Sequence, residues 1–95
     1  NNLVTLGALR ALRESGKRIP DDIALIGFDD MPWSGDLCPP LTAVSQPTYE
    51  LGQEAVALLL RRIAQPSAPT RTVILETQLI QRESCGANLH RKVSA

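Results

Sequence analysis

Residues 23–47 read IALIGFDDMPWSGDLCPPLTAVSQP, and the reading of this stretch decides the fold. From Ile23 to Phe28 there is no polar side chain. An apolar run this short and unalternating suits a strand covered on both faces, as in a parallel sheet between layers of helices. The run stops at two adjacent carboxylates, Asp29 and Asp30. In open α/β sheets, ligands bind in the crevice beyond the carboxyl ends of the strands. Asp29 therefore stands where a polar ligand would be read, and the pair suits acceptors for ligand hydroxyls. A loop rich in Pro, Gly and Ser leads into Leu41–Ser45, a second extended piece, and Gln46–Pro47 then opens a helix. Within the loop Met31–Pro40, Met31, Trp33, Leu37 and Cys38 are apolar. A loop with that content packs on its own domain or meets a partner.

Upstream, Asn2 to Ser15 reads as a helix capped by Asn1 or Asn2, whose side-chain oxygen can satisfy the free amides of the first turn. Gly16 ends it as a left-handed residue, and Pro20 prevents a restart. At ~100° per residue, Val4, Thr5, Ala8, Leu9, Ala11 and Leu12 share the side expected to face the sheet. Leu3 and Leu6 fall instead among Arg10, Arg13, Glu14 and Lys17. Two readings fit them: scattered exposed leucines, which are common, or a small subunit contact rimmed by charge.

Downstream, Pro47 is well placed as the first residue of a helix running to about Ala64. Leu51, Gly52, Ala55, Val56, Leu58, Leu59, Leu60 and Ile63 form its apolar side, with Glu50, Gln53, Glu54, Ala57 and Arg61 on the wet side. Arg62 falls in the apolar half, its stem expected to pack and its head to reach water. Gly52 in a helix interior suggests a close packing contact. After a linker, Pro66–Arg71, the β-branched content of Thr72–Gln81 reads as one long strand. Val73, Leu75, Thr77 and Leu79 point one way, and Ile74, Glu76, Gln78 and Ile80 the other. Arg82–Gly86 closes the fold, and Ala87–Ala95 is expected to be a disordered tail that holds the sole histidine, His90.

Bulk composition excludes several classes. The 95 residues make one domain at most, or a fragment of something larger. The first residue is Asn and a helix begins almost at once, which reads as truncation at the front. Ten basic and ten acidic residues cancel, so the charge footprint of a nucleic-acid-binding domain is missing. No stretch approaches the ~20 apolar residues of a membrane span, so a soluble chain with no membrane partner is expected. Cys38 and Cys85 stand far apart in no metal-type spacing, as idle thiols of a cytoplasmic protein do. No nucleophile elbow, Gly-rich phosphate loop or zinc spacing occurs. Asp29 and Asp30 lack the nucleophile, metal or second base that catalysis would need. No enzyme activity, no cofactor and no metal are expected.

Residues 1–30, NNLVTLGALRALRESGKRIPDDIALIGFDD, then PPLTAVSQP, LGQEAVALLLRRI and LIQRES, resemble the C-terminal part of LacI/GalR transcriptional regulators. The likeness runs over roughly residues 1–85, with GFDD, PPLT-x-V-x-QP and the closing R-x-S as its most specific pieces. The resemblance implies an α/β fold: a periplasmic-binding-protein-like (class I) core of two Rossmann-like subdomains, of which this chain is the C-terminal portion. It places residues 1–46 in the C-terminal subdomain and sends 47–72, a helix and linker, to the N-terminal one. The crossings fall near Val44–Pro47 and Arg71–Val73, with 73–86 as a closing strand and 87–95 as the tail. By position, Asn1 and Asp29 match residues that bind the effector. Phe28 sits at the family's Phe/Tyr position before the carboxylate. Thr48 matches a pocket position that is aromatic in some sugar-responsive members, so a stacking platform there is lost or supplied elsewhere. Leu6, with Leu3 beside it, matches the family's dimer interface, and Leu37–Cys38 a second strip of it.

The implied function is the effector-binding and dimerisation part of a cytoplasmic LacI-type regulator. A small sugar-like effector would bind between subdomains of a homodimer and control operator DNA binding by a helix-turn-helix headpiece that lies outside these residues. The alternative is a periplasmic-type sugar-binding protein of an ABC transporter with the same core fold. A helix-turn-helix or a signal peptide upstream would separate the two.

Overall fold

The structure, a computed structural model, describes residues 1–87. The expected tail, His90 included, lies outside the described residues from position 88 onward. The chain forms two compact units, Asn1–Ser45 with Gln78–Ala95, and Gln46–Thr77.

The first unit begins with helix α1, Asn2–Glu14. Its cap is Asn1, whose Oδ1 accepts the Val4 amide at 3.0 Å. Gly16 ends it with φ +71°, a conformation that costs glycine little and other residues more. α1 packs through Thr5, its buried residue, against Gly27 of strand β1, Ile26–Phe28. A Cβ built at Gly27 would lie 3.1 Å from Leu41 Cδ2 and 3.4 Å from Thr5 Cγ2. Only glycine lets the helix sit this close. Ala8, Leu9 and Leu12 are half-buried as the helical periodicity predicts, whereas Val4 and Ala11 are exposed. α1 covers the sheet through a narrow line centred on Thr5, narrower than the apolar arc of the wheel.

β1 pairs in parallel with β2, Thr42–Ser45, and β2 pairs antiparallel with β3, Gln78–Ile80. The order β1-β2-β3 puts β2 in the centre; Thr42 and Ala43 in it, and Leu41 just before it, are buried. The loop from β1 to β2 includes a short 3-10 turn, Ser34–Asp36.

Two strand expectations are corrected. The strand expected over Ile23–Phe28 pairs only over Ile26–Phe28 and lies at an edge, with Ile26 54% and Phe28 49% exposed. Its pairing partner is β2 alone, and α1 covers one face, so an apolar run does not by itself secure two covered faces. The long strand expected over Thr72–Gln81 pairs only at Gln78–Ile80. Residues 72–77 belong to the second unit and have no ladder partner there. β-branched content favours extended backbone, but a strand also needs a partner for its amides and carbonyls.

The second unit is α2, Thr48–Ala64, and the segment after it. Pro47 takes the N-cap position, one residue outside the helix. No α2 residue is fully buried. The apolar side, with Leu51, Val56, Leu59, Leu60 and Ile63, is exposed. Half-buried instead are Glu54, Leu58 and Arg61, so two residues expected on the wet face are the better covered. Nothing lies within 4 Å of a Cβ built at Gly52, so no close contact explains that glycine among the described residues. Arg62 is exposed, as expected of its head, and its Nη1 also donates to the Pro66 and Ala68 carbonyls at 2.9 and 2.6 Å. Those carbonyls belong to the turn that follows α2, so the side chain fixes the return of the chain.

Candidate functional site

The acidic pair stands where β1 ends, and its two members do different work. Asp29 is the one described residue other than glycine with positive φ, +79°. Its amide donates to the Val44 carbonyl at 2.9 Å, continuing the β1–β2 pairing one step past the strand. A non-glycine residue in this region costs roughly 1–3 kcal/mol and persists where its surroundings over-determine it.

Asp30 is held by Arg82, 52 positions away. Nη1 reaches Oδ1 at 2.7 Å and Nη2 reaches Oδ2 at 3.2 Å, a two-pronged ion pair. The guanidinium hydrogen bond holds the Asp30 carboxyl below the usual aspartate range and raises Arg82 in turn. Both side chains are largely covered, at 19% and 23% exposure. The expectation that both carboxylates receive ligand hydroxyls is therefore corrected for Asp30. Sequence reading marked the DD pair and the closing R-x-S separately. The missing step was that a carboxylate and an arginine at two unrelated motifs can be each other's partner.

The R-x-S segment ties several strands together. Arg82 Nη1 also donates to Leu41 O at 2.7 Å, and the Arg82 amide to Thr42 Oγ1 at 2.8 Å. Ser84, 1% exposed, accepts the Thr42 amide on Oγ at 2.8 Å and donates that hydroxyl to Leu25 O at 2.6 Å. The Leu25 amide returns a bond to Ser84 O at 2.8 Å. Ser34, 0% exposed, accepts the Met31 amide on Oγ at 3.0 Å and shapes the start of the loop.

Of the other expected ligand residues, Asn1 opens α1, one turn before the Thr5 that lies on Gly27. It belongs to the same unit as Phe28 and Asp29. Its Oδ1 is engaged as the cap, which leaves the amide NH2 to present. Phe28 is half-exposed at the end of β1. Thr48 belongs to the second unit, where it opens α2 and is exposed beside Tyr49, 78% exposed.

The expected interface residues meet on one surface of the first unit. Leu6, Leu37 and Cys38 line a groove of about 800 Å³ with Leu9, Ile19 and Pro39, edged by Arg10, Arg13, Lys17 and Arg18. Leu3, on the same helix, is 75% exposed and does not line it. Among the described residues, no group of three His, Cys, Asp or Glu side chains is placed to hold a metal ion. No helix among them is long and apolar enough to cross a membrane.

Residues 1–85 match the family described as periplasmic binding protein-like domain. The chain belongs to that family. Its relatives are LacI-type regulators: it is 43% identical over 84 residues to the HTH-type transcriptional regulator CelR of Thermobifida fusca, a span of 88% of this chain and 25% of CelR. Among solved structures it is similar to a LacI family transcriptional regulator of Enterococcus faecalis V583 with bound ribose, at TM-score 0.77 and 42% identity. That match covers 88% of this chain and 32% of the other. It is similar also to a CelR–cellobiose complex, at TM-score 0.74 and 44% identity, over 83% of this chain and 24% of that one. The chain thus spans about a quarter to a third of the proteins it matches. These relatives are regulators of transcription.

Proposed function

We propose that this chain is the effector-binding and dimerisation part of a LacI-type transcriptional regulator, with a sugar-like effector received by Asp29. The observation that carries the reading is the left-handed Asp29 at the carboxyl end of β1, at the position where α/β sheets receive ligands. Support comes from the relatives, two of which hold ribose and cellobiose. A carboxylate accepts two neighbouring sugar hydroxyls through charge-assisted bonds, each worth roughly 1.5–3 kcal/mol. Asn1 adds an amide donor and Phe28 an apolar ring. Effector energy that differs between two arrangements of the core would change operator affinity through the headpiece. The protein acts in the cytoplasm, without cofactor or catalysis. The transporter alternative has no support among the relatives, which are regulators.

In the full-length protein, Asp29→Ala is expected to abolish sugar binding by calorimetry while the far-ultraviolet circular dichroism is retained. Unchanged affinity would remove the assignment. The dimer would use the Leu6–Leu37–Cys38 groove. Leu6→Asp places a charge in a contact that must lose water and should yield monomers in sedimentation at low micromolar concentration. Glu14→Ala, on the same helix outside the groove, should leave dimers intact.

A further inference from the structure

The R-x-S motif is a feature that effector binding alone leaves without a task. Arg82 bridges the residue after Asp29 to the start of β2: one nitrogen, Nη1, serves both Asp30 Oδ1 and Leu41 O, each at 2.7 Å. Ser84 then fixes the same segment to Leu25, just before β1. Asp29 lies between two anchored points. Before it, β1 is paired with β2 as far as Phe28↔Val44. After it, Asp30 is locked to Arg82. Backbone with positive φ at a non-glycine residue relaxes unless both flanks are held.

We infer that the Asp30–Arg82 pair is a positioning clamp for the effector site, holding Asp29 in the left-handed conformation in which it meets the ligand. This rests on the effector reading of Asp29 given above. Asp30 and Arg82 themselves need not touch the sugar. Losing the clamp divides the loop between competent and relaxed forms, and apparent affinity falls by the competent fraction. The binding-site carboxylate is then supported from a segment 52 positions downstream, and side-chain identity at position 82 tunes effector affinity.

The test uses the full-length protein and two readouts. The first is amide hydrogen exchange without ligand. Asp30→Asn and, separately, Arg82→Lys should speed exchange of the Asp29 amide by about tenfold or more and leave the Ala43 amide, at the buried centre of the sheet, unchanged. Equal acceleration at both amides would mean that the pair only stabilises the fold, and no acceleration at Asp29 would mean that it holds nothing. Either result overturns the clamp. The second readout is calorimetry with ribose and cellobiose. Asp30→Asn should weaken binding by about tenfold in the parent protein, and by little once Asp29→Asn is present. If Asp29→Asn alone leaves affinity unchanged, or if neither sugar binds, the exchange result decides the clamp and the effector reading is the one that fails. If Asp29→Asn weakens binding and Asp30→Asn does not, the clamp fails and the effector reading stands.

Discussion

The two units are built in opposite ways. In the first, a few buried or half-buried polar side chains join segments far apart in sequence: Ser84 to Leu25 and Thr42, Arg82 to Asp30 and Leu41. In the second, the side-chain bonds that hold the turn after α2 are local, from Arg62 to residues four and six positions away. Its apolar helix face, Val56, Leu59, Leu60 and Ile63, is more than half exposed. Order in the first unit is therefore set by partners that a local pattern cannot reveal, and in the second by helix propensity and one arginine. Apolar content does not track this: the unit with the richer apolar helix has the smaller core.

Ser84→Ala should break the contrast most severely. It removes one hydroxyl and leaves two buried backbone groups, the Thr42 amide and the Leu25 carbonyl, without their partner. Each such group costs ~1–3 kcal/mol, so a loss of about 2–4 kcal/mol is expected in urea unfolding of the full-length protein. A loss under about 0.5 kcal/mol would mean that water or a neighbour replaces the hydroxyl. Acid sharpens the contrast next. The Asp30 carboxyl is held below its ordinary range by the Arg82 guanidinium, so the unfolded chain takes up this proton first. The pair's contribution is then full above roughly pH 5 and is lost as pH falls below about 4. Asp30→Asn should flatten that part of an acid-unfolding profile followed by circular dichroism, and a profile unchanged by the substitution would count against a stabilising pair. The smallest effect belongs to the second unit. Arg62→Ala removes only exposed, local bonds and should shift the urea midpoint by no more than about 0.5 kcal/mol equivalent.

Local rules were legible wherever local physics decides. The Asn1 cap, the Gly16 stop and the extent of α1 follow from orphan amides and left-handed backbone, and both leave residue-level marks. β2 was legible because PPLTAVS couples a proline boundary to a β-branched run. The ends of the other strands were not: pairing partners, not propensity, limit β1 to Ile26–Phe28 and β3 to Gln78–Ile80. For the candidate site, position pointed to Asp29, since a carboxylate just past an apolar strand is a local feature. The role of Asp30 was hidden because its partner lies at the other end of the chain. The bonds of Arg62 to the turn were hidden for a related reason, since its carbonyl partners form only once the turn exists.

The ends of β2 and β3 carry a topological consequence. Ser45 and Gln78 are directly paired across the antiparallel ladder, so everything in 46–77 is an excursion between two residues that already touch. The first unit is thus closed in space though interrupted in sequence, like a hairpin whose turn has grown into a separate body. Such a junction tolerates replacement. A short two-residue turn of the Asn-Gly kind would satisfy the same pairing, and each halving of the loop would recover about 0.6 kcal/mol of closure entropy. Sequence length in 46–77 is therefore free to vary without disturbing the pairing that joins the ends of β2 and β3.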